Sequence, residues 1–371
     1  MIEKDVVIVG AGLAGATAAV LLARQGLKVA LIDPRKEFPP LFRAEKIEQD
    51  QADLLRKFGL LEAVKPRTRM IREIVRAKGG RIRHRHKVEQ YGISYQDIVN
   101  QVREQVPAEV DFRIGRIQSI ISDPVQPRVE MADGESYVAR AVLLCTGVGS
   151  NLPAQLGVEK DMVADELSMA FGFVLARADG GSFPFDAVTY RPSNTREHVG
   201  YLTLFRIGEI LRGNLFTYWT ARGPETQALM REPRKELERL LPGLSNVLGD
   251  FVVQGRVEAC RIDLYRLKDC MRPGVVMVAD AYQSVCPSSG MGLSKVLTDV
   301  DVLCNDCIPR WFATPGLDVD KLAHFYSDRR KQQVDDEALN RAVRSRRVAT
   351  DTSFRWHARR IISQWRWATG I

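Results

Sequence analysis

Cysteine is scarce: six residues in 371, at positions 145, 260, 270, 286, 304 and 307. So thin a scatter excludes a disulfide framework in a chain of this length and fits a reducing compartment. Cys304 and Cys307 form a C-x-x-C, but neither a second pair nor a nearby histidine completes a zinc set. The pair falls near the end of a helical pattern, where the helix dipole opposes the low thiol pKa that a redox dithiol needs. Two small buried side chains on one helix face are the expectation. Long apolar runs are missing too, since charged residues interrupt each one well short of the ~20 residues a membrane-crossing helix needs. The opening Glu3, Lys4 and Asp5 lead into a strand-like run and lack the pattern of a secretory leader. A cytoplasmic protein is expected. Internal repeats and low-complexity segments are also absent. Nor is there a general excess of one charge. The net charge is +8, but Arg329 to Ile371 holds eleven Lys/Arg against four Asp/Glu and accounts for +7 of it. The body is therefore close to neutral, which excludes a uniformly basic nucleic-acid-binding surface.

What is present begins at the N-terminus with DVVIVGAGLAGATAAVLLARQGLKVALID. Val6 to Val9 reads as a short buried strand, Leu13 to Gln25 as a helix stopped by Gly26, and Leu27 to Ile32 as a second strand ending at Asp33. Gly10, Gly12 and Gly15 fit G-x-G-x-x-G at the strand–helix junction. In such a unit Gly10 permits the tight turn, Gly12 lets a pyrophosphate approach the backbone, and Gly15 lets helix and strand pack closely. The helix N-terminus offers unpaired N–H groups to a diphosphate, and Asp33 is placed to accept from both ribose hydroxyls of an adenosine. Strand, helix, second strand and carboxylate in register predict a bound dinucleotide, without separating NAD from FAD.

Three further segments follow. In LFRAEKIEQDQADLLRKFGLLE, Arg43 precedes a helix that ends in Phe58-Gly59-Leu60. In ARAVLLCTGVGSNLPAQLG, the buried strand Ala141 to Cys145 is followed by Thr146-Gly147. In GVVMVADAYQSVCPSSGMGLSKVLTDVDVL, the strand Val275 to Val278 leads to Ala279-Asp280-Ala281, Pro287, Gly290-Met291-Gly292 and a helix. With the opening fingerprint, these four segments, in order over about three quarters of the chain, resemble the para-hydroxybenzoate hydroxylase-like, single-component FAD monooxygenases. The resemblance implies an α/β fold, with a Rossmann-like FAD-binding domain, an inserted β-sheet substrate domain and C-terminal helices. It implies FAD held by Gly10, Gly12, Leu13, Ala14, Gly15, Asp33, Arg35, Arg43, Asp280, Pro287, Gly290, Met291 and Gly292. Asp280 would bond the ribityl hydroxyls, Pro287 would lie near the reactive edge of the isoalloxazine, and the Gly290-Met291-Gly292 amides would face its pyrimidine end. Two departures stand out: Ala279 occupies a family glycine, and Thr146-Gly147 replaces the family's Asp-Gly, an aspartate associated with nicotinamide binding.

The activity implied is hydroxylation of an aromatic or otherwise conjugated, lipophilic small molecule by O2 through a flavin hydroperoxide, with NAD(P)H as reductant. In that chemistry the cofactor carries the hard step, so no acid–base motif is required. Two other readings stay open: a reductase or cyclase of the geranylgeranyl reductase and lycopene cyclase kind, and a redox-silent FAD-binding protein. The W-x-W-x-I-P of flavin halogenases is not matched, since W-x-W occurs only as Trp365-Arg366-Trp367 at the far C-terminus.

The intervening sequence turns to strands. Ile71 to Ala77 and Ile82 to Val88 flank Gly79-Gly80, a hairpin signal. Further strand-like runs lie near 169–176, 186–191, 198–206, 214–221 and 251–264, and a helical run over 94–105 returns the chain to the FAD domain. The expected division is a FAD-binding domain over 1–75, 92–168 and 255–312, a substrate sheet over 76–91 and 169–254, and a helical segment over 313–371. Polar residues on the sheet that could touch substrate are His84, His86, Tyr190, Tyr201, Tyr218 and Arg222, none of them assigned a catalytic role. The C-terminal segment reads as helices near 318–333, 336–348 and 353–367. In the last, Arg355, Arg359, Arg360 and Arg366 mix with Trp356, Ile361, Ile362, Trp365 and Trp367. It either packs its tryptophans on the FAD domain or rests at an anionic membrane surface as a peripheral contact.

Overall fold

The strand Val6–Val9 lies at the centre of a five-stranded parallel sheet. Its spatial order is Val275–Met277, Ala141–Leu144, Val6–Val9, Val29–Asp33 and Asp111–Ile114. A computed structural model of the chain describes residues 1–354 except 44, together with 356, 358 and 359. A parallel sheet covered on both faces selects continuous apolar strands rather than alternating ones, and Val6, Val7 and Ile8 are fully buried. On one face lies the helix Leu13–Arg24, wedged between the sheet and the helices Tyr95–Arg103 and Gly292–Asp301. Every residue of it but Arg24 is buried, which is why it is apolar all round instead of amphipathic. The other face is covered by a small sheet of Ile2–Glu3, Ser136–Val138, Arg128–Met131 and Ile117–Ile121.

A second sheet has eight strands, in the order Phe251–Lys268, Glu159–Arg177, Ile210–Thr217, Val199–Ile207, Ala187–Arg191, Arg69–Lys78, Arg81–Gly92 and Lys46–Ile47. The expected hairpin is there, turning at Gly79-Gly80. Period-two alternation sorts its side chains cleanly. Leu202, Leu204, Leu211, Leu215, Phe171 and Phe173 face the short helices Pro224–Arg231, Pro233–Leu240 and Leu244–Leu248. Their neighbours Tyr201, Thr203, Phe205, Asn214 and Phe216 line a cavity on the opposite face.

The expected boundaries at 75, 168 and 255 fall inside strands of this sheet. Glu159–Arg177 and Phe251–Lys268 pair from end to end, with register shifts near Met162, Ala164 and Gly172. Charged residues such as Glu159, Lys160, Asp161 and Asp165 sit in the outer half of the first of these strands, so it reads as a loop in sequence. The C-terminal helices divide differently as well. Asp328 caps the helix Arg329–Thr350 by accepting from the Arg330 and Lys331 amides, so the break falls at Ser327-Asp328 and the helix runs unbroken through 334–335. Asp335 is buried, and turned toward lysines. Cys304 and Cys307 are free, buried thiols on a π-helical turn, and burial pushes the Cys307 thiol up to about 12. The third expected helix, 353–367, lies mostly outside the described residues, as do Arg355, Arg360, Ile361, Ile362, Trp365, Arg366 and Trp367. Among the described residues no helix is long and apolar enough to cross a membrane.

What holds the long C-terminal helix is a buried quartet of charges. Lys295 and Asp299, one turn apart on the helix Gly292–Asp301, face Lys331 and Asp335, one turn apart on Arg329–Thr350. Lys295 contacts Asp335 and Asp299, and Lys331 contacts Asp335 at 2.7 Å and Asp299 at 3.3 Å. Both lysines are 0% exposed. The Lys331 ammonium also lies 4.2 Å from the Tyr282 ring centroid. Four charges that cancel can stay buried; three cannot, because removing one partner leaves an uncompensated ion in a low dielectric. Lys331→Met is therefore expected to lower unfolding free energy by about 3–5 kcal/mol. Lys331→Met combined with Asp335→Leu should recover most of it, as read by urea denaturation.

Candidate cofactor and substrate site

The dinucleotide fingerprint is built by close approach. Gly10 turns the chain at φ +100°, and a Cβ there would stand 2.6 Å from the Cys145 carbonyl oxygen. At Gly15 a Cβ would lie 1.9 Å from the Gly10 oxygen, so the helix presses against the turn with no room for a side chain. Gly12 is different, since a Cβ there would meet nothing within 4 Å. It borders a cavity of about 580 Å³, and Gly12 brings no capping side chain to the helix that starts after it, whose first turn lines that cavity.

That cavity is lined by Gly10, Gly12, Leu13, Ala14, Asp33, Arg35 and Arg43 from the first part of the chain, and by Thr146, Gly147 and Asp280 from later parts. Asp33 Oδ2 accepts from the Ala11 amide at 2.8 Å and Oδ1 from the Arg35 amide at 2.9 Å, so the carboxylate braces the glycine turn. An ionised carboxylate has further acceptor sites for sugar hydroxyls. Behind it lies a residue that no motif indicated. The buried Arg103 donates to the Ala11 carbonyl at 2.7 Å and to those of Arg35 and Lys36 at 2.9 and 3.0 Å, and stands 3.3 Å from Asp33. Its guanidinium ties the two loops that flank the cavity. The only sequence signal was an arginine at the end of an otherwise amphipathic helix, where a solvated cation is the commoner outcome.

A smaller cavity of about 200 Å³ opens beyond it, and Arg43, Tyr95, Asp280 and Val296 border both. Burial pushes the Asp280 carboxyl above its ordinary range, while the Arg43 and Lys295 cations pull it back. Tyr95, on the helix Tyr95–Arg103, is pushed up to about 12 by burial and by Asp280. Pro287, Gly290 and Gly292 line the smaller cavity; Met291 and Gly15 line neither. The expected row of three amides is altered. Gly290 N–H donates to the Pro287 carbonyl and Met291 N–H to Ser289 Oγ at 3.2 Å, which closes the turn on itself. Gly292 and Leu293 begin the helix, which has no side-chain cap. The opposite wall is the sheet: Tyr201, Thr203, Phe205, Asn214, Phe216 and Ile262, with Phe42 and Glu45 from the segment after Leu41.

Of the polar residues singled out on the sheet, Tyr201 alone lines this cavity, and its hydroxyl donates to the Ser288 carbonyl at 2.9 Å. Tyr190 is buried on the opposite face, where its hydroxyl donates to the Pro242 carbonyl and accepts from the Gly80 amide. Arg222 is exposed, and His84 and His86 stack on each other 5.9 Å apart in the strand Arg81–Gly92. Glu45 and Asn214 were not singled out. The alternation over Arg212–Phe216 and the position of Glu45 two residues after Arg43 were the available signals.

The residues present fit a flavin dinucleotide. Gly12 faces open space, the helix start is uncapped, and Thr146 Oγ1 is buried in the larger cavity without a partner. Fold and site together define a nucleotide-binding flavoprotein with a second, sheet-walled cavity. A profile of the family described as FAD binding domain matches residues 3–306. The chain belongs to that family, and is an FAD-dependent oxidoreductase with the fold of the hydroxylase-like flavoproteins that its four segments resemble. No curated protein matches it. Among solved structures, p-nitrophenol 4-monooxygenase PnpA from Pseudomonas putida is similar over 97% of this chain and 93% of that one, with a TM-score of 0.78 and 18% identity. PqsL from Pseudomonas aeruginosa, in complex with 2-aminobenzoylacetate, is similar over 93% and 97%, with a TM-score of 0.74 and 20% identity. A mutant of the halogenase PltM in complex with FAD gives 0.71 at 14% identity, over 94% of this chain and 77% of that one. At such identities the likeness is one of fold.

Three substitutions test the backbone. Gly12→Ala should leave stability within about 0.5 kcal/mol of the parent and raise the FAD dissociation constant at least ~10-fold, because the new methyl enters the diphosphate's path. Gly15→Ala should instead destabilise the fold itself by about 2–3 kcal/mol or more; comparing thermal melts and FAD titrations separates the two. Ala279 sits at φ +55°, the left-handed conformation that explains the family glycine. The strain costs about 1–2 kcal/mol for an L-residue, offset by about 0.4–1 kcal/mol from the greater freedom of glycine in the unfolded chain. Ala279→Gly is expected to raise stability modestly, measured by the same melts.

Proposed function

We propose that the protein is an FAD-dependent monooxygenase that hydroxylates an aromatic or conjugated small molecule, with NAD(P)H as electron donor and O2 as oxidant. The observation that carries this reading is the meeting of the two cavities at Arg43, Tyr95, Asp280 and Val296. A dinucleotide with its diphosphate on Gly12 would present its far ring to the smaller cavity. Bound there, the flavin supplies electron transfer and oxygen activation, as the resemblance to the hydroxylase family implies.

The chain's own part is positioning and exclusion of water. Phe42, Phe205, Phe216, Ile262 and Val285 give the smaller cavity apolar walls suited to a planar substrate. Tyr201 pins the sheet to the Pro287–Ser289 turn, so that the substrate wall and the cofactor loop move as one body. The uncapped start of the helix at Gly292 favours negative charge near it, and Arg43 adds a full positive charge beside the junction. The 2-aminobenzoylacetate in complex with PqsL and the p-nitrophenol in the name of PnpA are small molecules of the expected size class.

A second reading, a flavoprotein reduced by something other than a nicotinamide, is favoured by Thr146 in the place of the family's aspartate. The test is spectroscopic and polarographic. The purified protein should be yellow, NAD(P)H should bleach it faster when the true substrate is present, and oxygen uptake should match formation of a hydroxylated product. A yellow protein bleached by dithionite and by neither nicotinamide would overturn the first reading in favour of the second.

A further inference from the structure

We propose that Glu45 is the substrate-anchoring acceptor of the smaller cavity, selecting an uncharged aromatic that carries an N–H or O–H donor and rejecting aromatic carboxylates. This rests on the smaller cavity being the substrate site. Glu45 is 8% exposed and lines that cavity. The bonds that hold it fall on one oxygen. Arg212 Nε donates to Oε2 at 3.0 Å, and the Asn214 amide, turned with its nitrogen toward Glu45, donates to the same oxygen at 3.2 Å. Among the described residues Oε1 accepts no hydrogen bond, in a side chain that lines the cavity. It is the acceptor left for a ligand.

The cations nearby are already matched. The Arg212 guanidinium serves Glu258 as well as Glu45, and lies 5.2 Å from the Phe42 ring centroid. Gly172 makes room for this stack: a Cβ there would meet Arg212 at 2.5 Å and Phe42 at 2.8 Å. Lys46 pairs with Glu48 at 3.0 Å. Arg43 borders both cavities and is not among the charges that act on Glu45. One guanidinium between two carboxylates leaves that end of the cavity electronegative, so a ligand carboxylate there would be a third like charge. The other polar groups offer little competition. The Tyr201 hydroxyl is committed to the Ser288 carbonyl, and the Thr203 hydroxyl points at the Asn214 carbonyl at 3.5 Å. Burial pushes the Glu45 carboxyl above its ordinary range, so a donor from the ligand relieves a charge that is short of partners. A site built around a buried acceptor discriminates steeply, because an analogue without the donor leaves that acceptor unpaired.

The test is calorimetric titration of the FAD-loaded full chain with three probes of similar shape: indole, benzofuran, in which oxygen replaces the N–H, and indole-2-carboxylate. Indole should bind at least tenfold more tightly than either of the others. Glu45→Gln, which keeps an acceptor and the Arg212 contact but removes the charge, should shrink both preferences at least threefold. Equal binding of indole and benzofuran, tightest binding of the carboxylate, no binding of any probe, or wild-type preferences in a folded Glu45→Gln protein would each overturn the inference. The wild-type ranking decides it even if the variant does not fold. The readout needs no turnover. Donor-selective binding without oxygen consumption would support the role of Glu45 while overturning the hydroxylase reading. Oxygen consumption with a carboxylated aromatic that binds best would do the reverse.

Discussion

Between Gly15 and the Gly10 carbonyl there is no space for even one methyl group, and the arrangement of the site descends from that contact. It presses the start of the helix Leu13–Arg24 onto the end of the central strand, where uncapped amides face a cavity instead of a side chain. The Cys145 carbonyl closes in behind Gly10 and excludes a side chain there as well. Asp33 then braces the turn through the Ala11 amide, and Arg103 locks the Ala11 and Arg35 carbonyls together. A diphosphate-sized opening is thus maintained by backbone packing, which a rigid parallel sheet enforces more firmly than surface side chains could.

The second half of the cradle has a different foundation. The turn carrying Ala279, Asp280 and Pro287 and the helix after it would be free to shift on the sheet were they not tied from behind. The Ala279 amide donates to Asp299, and Asp299 belongs to the buried quartet that fastens the long C-terminal helix. The C-terminal helix is therefore joined by buried charge to the part of the chain that lines both cavities. Such a quartet adds less net stability than a well-packed apolar contact would. It does define one relative placement of the helices, because any slip leaves an ion unpaired.

The far wall of the smaller cavity belongs to the sheet. Alternation assigns Tyr201, Thr203, Phe205, Asn214 and Phe216 to the wall facing the cofactor side, and their intervening leucines to the core beneath the short helices. Glu45 and Arg212, 167 residues apart in sequence, meet although four strands separate Lys46–Ile47 from Ile210–Thr217 in the sheet order, so the tertiary fold and not strand pairing joins them. Their meeting gives the cavity its chemical character.

Read linearly, the chain declares its nucleotide fingerprint, its parallel core strands and the order of its cofactor segments. The fingerprint depends on contacts within about thirty residues and on glycines whose spacing has one good physical use, and the more distant core strands show as continuous apolar runs. The same local logic located the hairpin at Gly79-Gly80 and the strand–turn–helix around Asp280. It misjudged the ends of the strands Glu159–Arg177 and Phe251–Lys268, because charged outer halves look like loops until a partner strand pairs with them. It also split the helix Arg329–Thr350 at 334–335, where acidic residues interrupt the apolar pattern and Asp335 is in fact buried against lysines. Arg103, the quartet and the Glu45–Arg212 pair came from tertiary structure alone. Each is a polar side chain whose burial is tolerable only through partners far away in sequence, and no periodicity or propensity encodes which partner that will be.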